Sequence, residues 1–286
     1  MTSLLCLGFG YCASRFVEMH GTQFERLFAT SRSGASRGDS IETLRIGSPE
    51  LEAAAGAADV LLVSAPPGEA GDPFLGPLGD AIAAGRKGAL IYLSTIGVYG
   101  DSGGAFIDET APLNATSPRG RRRIAAEAGW QQLGQRAGRP VTVLRLGGIY
   151  GAGRNALADI ADGDARCIVR EGQMFNRIHV DDIAGAILAA VHGFEGTVNV
   201  VDDEPAEACA PVRFAAKLLG VEPPPAVPYD EAAPLMSAMA RSFWADNRRV
   251  RNTRLKQELG VQLRYPTYRE GLAALFDAGE GRPLNL

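Results

Sequence analysis

Short blocks of consecutive apolar residues alternate along the first half of the chain with longer stretches of mixed polarity. Leu4 to Leu7, Leu27 to Thr30, Val60 to Ser64, Ala89 to Ser94 and Val141 to Leu146 are apolar almost throughout. That length and character predict strands covered on both faces. The segments between them, beginning with Tyr11 to Met19 and rich in alanine, have helical spacing. Strands alternating with helices predict an α/β fold with a doubly wound parallel sheet. After residue 151 the alternation loosens into Pro223-Pro224-Pro225, Trp244 and arginine-rich stretches, and a smaller C-terminal lobe is expected. Arg177 to Asp182 and Thr197 to Val201 still read as strands returning to the sheet, with a helix over 183–192 between them. The sheet domain is therefore expected over 1–203, with 151–176 looping toward the lobe, and the lobe over 204–286.

The first strand runs directly into Gly8-Phe9-Gly10-Tyr11-Cys12-Ala13. Between a strand and a helix, a Gly-x-Gly-x-x-Ala loop cradles a dinucleotide. The first glycine allows the tight turn, the second lets backbone approach a pyrophosphate, and the small Ala13 lets the helix pack close to the strand. The helix N-terminus then favours the phosphates. The sheet is thus expected to be Rossmann-type, with Gly8, Phe9, Gly10, Tyr11 and Cys12 against the cofactor. The second strand ends in Ser31-Arg32-Ser33, without an acidic residue. An acid there binds the ribose hydroxyls of NAD, whereas arginine pairs with the extra phosphate of NADP. NADP is the expected cofactor and NAD the alternative. Ligands of such sheets bind beyond the carboxyl ends of the strands, so Ala65, Pro66, Ser94, Thr95 and Ile149, in the Gly147 to Gly151 turn, are expected to line the site.

Composition narrows the function further. With 46% hydrophobic and 22% charged residues in 286, the chain can bury a large core and is neither disordered nor fibrous. A net charge of −4 argues against a nucleic-acid partner, which calls for a basic surplus. No 18-residue uncharged apolar run and no signal-peptide pattern occurs, so no membrane partner and a cytoplasmic location are expected. Cys6, Cys12, Cys167 and Cys209 lack metal-ligand or disulfide-framework spacing and read as buried, reduced thiols, with no metal.

The ordered motifs LSTIGVYGD (Leu93 to Asp101), DETAPLNATSPRG (Asp108 to Gly120), LRLGGIYGAGR (Leu144 to Arg154), RIHVDDIA (Arg177 to Ala184) and TVNVVDDEP (Thr197 to Pro205) follow the glycine loop. With it they resemble the extended short-chain dehydrogenase/reductases, the NAD(P)-dependent epimerase/dehydratase group, over nearly the whole chain. The resemblance implies that Thr95 hydrogen-bonds the reacting oxygen of a substrate. It also implies a tyrosine and a lysine, spaced i and i+4, for proton transfer and for holding the nicotinamide ribose. This chain has Arg119 and Arg123 in those places. Arginine stays protonated and has no acceptor, so Arg119 cannot act as acid or base, while Arg123 can still grip a ribose or phosphate. The two-glycine loop, and Gly148 where many relatives have asparagine, resemble the atypical YeeZ-like subgroup, whose members lack the usual catalytic residues. The resemblance implies a homodimer through the helix after Arg119, and epimerase, dehydratase or reductase chemistry on a sugar-like or phosphorylated small molecule. The other reading is a non-catalytic cofactor sensor or regulator.

Arg119, Arg121, Arg122 and Arg123 crowd the first turn of one helix, with Glu127 as the local counter-charge. Each positive charge opposes the helix dipole by about 0.3 to 1 kcal/mol, which implies an anionic ligand opposite. Arg119 and Arg123 are assigned to that site, and Arg121 and Arg122 to a solvated face. Arg154 is a candidate substrate contact, as is one of Arg248, Arg249 or Arg251 in a second cluster, Arg249 being taken, against the reading of that cluster as a solvated surface. His179 is weighed with them, against its reading as a packed strand residue.

Overall fold

The computed structural model describes residues 2–33, 35, 36, 38 and 40–281. Met1 and residues 282–286, the outer ends of the two expected domains, lie outside it. Seven parallel strands form the central sheet: β1 (Ser3–Leu7), β2 (Arg26–Ser31), β3 (Glu42–Arg45), β4 (Val60–Val63), β5 (Ala89–Thr95), β7 (Val141–Leu146) and β11 (Gly196–Val200). Their order is β11-β7-β5-β4-β1-β2-β3. The remaining short strands, β6 (Phe106–Ile107), β8 (Gly148–Tyr150), β9 (Cys167–Val169), β10 (Arg177–His179), β12 (Ala226–Pro228) and β13 (Arg249–Val250), pair as β8 with β10, β9 with β12 and β6 with β13.

Side chains alternate across the sheet and find helices on both faces. Leu4 and Cys6 of β1 pack with Leu62, Ile91 and Val198 against α1 (Tyr11–His20) and α6 (Val180–Ala190). Leu5 and Leu7 pack with Leu61 and Leu90 on the opposite face, against α2 (Pro49–Ala57), α3 (Leu75–Ala84) and α4 (Pro118–Ala137). Trp130 of α4 is fully buried there, its indole N–H donating to Asp72 at 2.9 Å.

Beyond the sheet, α5 (Ala156–Ala161), α7 (Cys209–Leu219) and α11 (Tyr268–Asp277) enclose a separate core of Tyr150, Leu157, Ala215, Tyr268 and Leu272. The short α8 (Tyr229–Ala232), α9 (Ala238–Trp244) and α10 (Thr253–Gln257) complete the chain between them.

Three sequence expectations change. Arg177 to Asp182 is not a strand of the main sheet: only Arg177–His179 is extended, and it pairs with β8. The chain turns helical three residues earlier than expected because the His179 ring accepts the Asp181 N–H at 3.1 Å and caps α6. The edge strand β3 has a half-polar sequence, Glu-Thr-Leu-Arg, which carries no buried-strand signal. Cys167 and Cys209 are not thiols but a disulfide, with Cα atoms 4.6 Å apart. They lie 42 residues apart, and only the packing of β9 beside α7 brings them together.

Candidate functional site

The glycine loop leaves the carboxyl end of β1 in the middle of the sheet. Gly8 has φ of +90°, and a Cβ there would stand 2.6 Å from the Ala65 nitrogen, so no other residue fits without moving β4's exit. Its own N–H donates to the Thr30 hydroxyl at 2.7 Å, tying the loop to β2. At Gly10 the situation reverses: a Cβ would meet nothing within 4 Å. Gly10 begins α1 with no side-chain cap, and the first turn carries no acid. The open space in front of uncapped N–H groups fits a pyrophosphate.

The other residues expected around a cofactor share this edge of the sheet. Ser31 is buried with its hydroxyl 3.4 Å from that of Ser33, and Arg32 is exposed with no ion pair to a described residue. Ala65 is anchored by its N–H to the Leu7 carbonyl at 3.1 Å, with Pro66 exposed beside it. Phe9 and Tyr11 are half-buried, and the Tyr11 hydroxyl donates to the Ala152 carbonyl at 2.9 Å. Cys12 is packed away, and burial pushes its thiol up to about 11. Arg154, an expected substrate contact, instead stands over Tyr11, 6.0 Å from the ring centre, beside the glycine loop.

Next to this edge, beyond β5 and β7, lies a cleft of about 710 Å³. Thr95, Arg119, Gly148 and Ile149 line its inner part. The Thr95 oxygen accepts the Gly97 N–H at 3.1 Å, which leaves the hydroxyl hydrogen for a ligand. α4 presents its start to the cleft because Ser117 accepts the Gly120 N–H at 3.0 Å and Pro118 opens the first turn.

The four arginines of that turn then diverge. Arg119 and Arg122 line the cleft. Neither forms an ion pair with a described residue, and the buried Arg122 Nε has no partner. Burial and the neighbouring Arg123 hold the Arg119 guanidinium below its ordinary value, the signature of a cation without a counter-charge. Arg121 donates outside the cleft, to the Thr116 carbonyl. Arg123 turns inward, its guanidinium donating to the Tyr92 hydroxyl at 2.9 Å and the Leu93 carbonyl at 2.8 Å. The sequence assigned Arg122 to solvent, but a residue three positions beyond Arg119 returns to the same helical face.

Ser94 and Glu127 belong to a buried network. The Ser94 hydroxyl donates to Glu127 at 2.5 Å, and Arg145 pairs with the same carboxylate at 2.7 Å. Arg145 also donates to Tyr99 at 2.9 Å, and Tyr99 to Asn199 at 2.7 Å. Ser94 therefore faces the core, and Glu127 is consumed by Arg145 rather than balancing the arginines of the first turn.

Of the remaining candidates, His179 is 3% exposed, packed between Tyr150 and Tyr265. Burial, partly offset by Asp181, lowers its pKa to about 4. Arg249 donates to the Gly104 carbonyl at 2.7 Å, and it is the adjacent Arg248 that reaches the cleft, paired with Asp246 at 2.9 Å. The Tyr150 hydroxyl lies 3.3 Å from the Thr267 carbonyl, and burial raises its pKa beyond the ordinary range.

The sequence reading also missed the outer wall of the cleft, where Met239, Phe243 and Trp244 of α9 face Met174 and Phe175. The i, i+4 spacing of Met239 and Phe243 was the available signal.

Residues 77–200 match the NAD dependent epimerase/dehydratase family. A 3-diazoavenalumate denitrifying reductase from Streptomyces is 30% identical over 204 residues, 67% of this chain and 66% of that protein, just under two thirds of its length. A functionally unknown conserved protein from Silicibacter pomeroyi is 42% identical, with 98% of this chain and 100% of that one covered and a TM-score of 0.87. A human epimerase family protein solved with NADPH shares the fold at 20% identity, covering 97% and 99% of the two chains with a TM-score of 0.73. No described helix is long and apolar enough to cross a membrane.

Proposed function

We propose, from the match of residues 77–200 to the NAD dependent epimerase/dehydratase family, that the chain is an NADP(H)-dependent reductase of a small anionic molecule. One observation carries the reading: the cleft is lined by Thr95 and by Arg119, the latter at the position where the resemblance to the family leads one to expect the proton-transferring tyrosine. Epimerisation and dehydration require a base to take a proton from substrate, and a guanidinium at position 119 cannot serve as one. Reduction of an electron-poor centre makes no such demand when the proton comes from water or is not needed. The Streptomyces relative's description as a reductase points the same way.

A bound nicotinamide dinucleotide supplies a hydride. Gly8 to Cys12 and the start of α1 would hold its pyrophosphate, and Arg32 with Ser31 and Ser33 the extra phosphate of NADP, with Ala65, Pro66 and Ile149 along the groove. Thr95 donates its hydroxyl hydrogen to an acceptor atom of the substrate, while Arg119 and Arg122 hold the substrate's negative charge. Arg123, buried against Tyr92, fixes the first turn of α4 so that Arg119 faces the cleft. A catalytically silent cofactor sensor, the competing reading, has the same glycine loop but no use for Thr95.

Titration of nicotinamide fluorescence, followed by absorbance at the nicotinamide band with candidate acids, tests the reading. NADPH is expected to bind at least tenfold tighter than NADH, Arg32→Ala to erase that preference, and Thr95→Val to abolish coenzyme oxidation without weakening coenzyme binding. Coenzyme binding without oxidation of any substrate would favour the sensor, and no binding of either coenzyme would end both readings.

A further inference from the structure

We infer that the outer part of the cleft takes a flat aromatic carboxylate, not a sugar nucleotide; this names the substrate class of the proposed reductase and rests on that reading.

The wall is apolar and aromatic. Phe243 and Met239 are 57% and 64% exposed at the cleft mouth, large apolar side chains left wet unless a ligand covers them. Trp244 behind them is braced by Phe175, edge-on at 4.9 Å, and by Tyr229, stacked at 5.0 Å. A planar ring gains offset or edge contacts on such a surface.

The charge beside it is positive and unspent. Arg119 stands 5.9 Å from the centre of the Phe243 ring, and Arg122 lines the same cleft with its Nε unpartnered. Planar guanidinium groups match a carboxylate with paired N–H donors.

Most of the uncharged polar side chains that would read sugar hydroxyls are already engaged. Asn176 donates to the Arg248 carbonyl at 3.0 Å and accepts the Val250 N–H at 2.8 Å. Asp246 is paired with Arg248, and Ser242 donates to the Met239 carbonyl at 2.7 Å. Gly147 and Gly148 offer no side chain. With the Tyr150 hydroxyl donating to the Thr267 carbonyl at 3.3 Å, Thr95 and Ser117, each already accepting a backbone N–H, are left as hydroxyl donors for a ring that carries several hydroxyls. Hydroxyls buried without partners are strongly penalised.

The test uses the full chain saturated with NADPH and follows calorimetry and Trp244 fluorescence on addition of trans-cinnamate, cinnamamide or UDP-glucose. Cinnamate is expected to bind at least tenfold tighter than cinnamamide and than UDP-glucose. Phe243→Ala, Arg119→Gln and Arg122→Gln are each expected to weaken it about tenfold or more, with unchanged melting temperature and coenzyme affinity. Tighter binding of UDP-glucose, equal binding of the amide, no binding of cinnamate, or indifference to all three substitutions would overturn the inference. The two readings fail separately. Cinnamate bound with no acid ever oxidising coenzyme sinks the reductase alone, whereas coenzyme oxidation by another anion with no cinnamate binding sinks the aromatic site alone.

Discussion

Two buried carboxylates show how single residues trade stability for position. Asp202 is 2% exposed, accepts the Glu204 N–H at 3.3 Å with one oxygen, and leaves the other unpartnered. Burial, only partly offset by that N–H and by Arg177, raises its pKa to about 8. A raised value means the folded protein keeps a proton that the unfolded chain releases near pH 4. The stabilisation is full below that pH and is lost as pH rises toward 8. Asp202→Asn keeps the acceptor and removes the titration. It is expected to melt several degrees higher than the parent at pH 8 and at the same temperature near pH 4, and a pH-independent difference would refute this account. Glu127 is buried too, but both Arg145 and Ser94 hold its carboxyl group under the end of β5. Glu127→Gln leaves the buried Arg145 charge uncompensated, and urea unfolding is expected to show a loss of about 3 to 5 kcal/mol.

At the scale of elements, α1 and α4 meet the site by different devices. α1 offers bare N–H groups behind Gly10, where a side chain would have open room. Gly10→Val is therefore expected to leave the melting temperature nearly unchanged while weakening coenzyme binding at least tenfold. Retained affinity would show that phosphates lie elsewhere. α4 offers side chains: Arg119 and Arg122 line the cleft, Arg121 donates to the Thr116 carbonyl, and Arg123 turns against β5. The sequence showed a run of positive charge at the helix start and the need for an anion. It could not rank the four arginines, because the rotation of α4 is set by the burial of Ala126, Trp130 and Leu133 further along.

Across the whole molecule, the cleft draws on segments remote in sequence: the end of β5 at Thr95, the start of α4, the turn after β7, the stretch from Met174 to Arg177, Ala208, and α9 with the residues that follow it to Arg248. The end of α9 is tied to the segment just after β9, where Arg170 donates to the Trp244 carbonyl at 3.0 Å, and the Cys167–Cys209 disulfide joins β9 to the start of α7 just after the cleft residue Ala208. Closing a loop of that length removes entropy from the unfolded chain, and Cys167→Ser, or reduction, is expected to cost about 2 to 4 kcal/mol in thermal or urea unfolding. An unchanged midpoint with and without reductant would mean that the bond contributes nothing to holding the lobe.

The sequence by itself determined the parallel sheet and the glycine loop. Both are local signals: four to seven apolar residues make a doubly covered strand, and Gly8 is written into a turn that needs it, with Gly10 at the open start of α1. The position of Thr95 was legible for the same reason, at the end of one such strand. Only the tertiary structure decided that Ser94 and Arg123 face inward, that Arg122 and Arg248 rather than Arg123 and Arg249 reach the cleft, and that Met239, Phe243 and Trp244 form its wall. Those outcomes depend on which face of each element is buried by partners tens of residues away, and side-chain direction follows that packing rather than residue type.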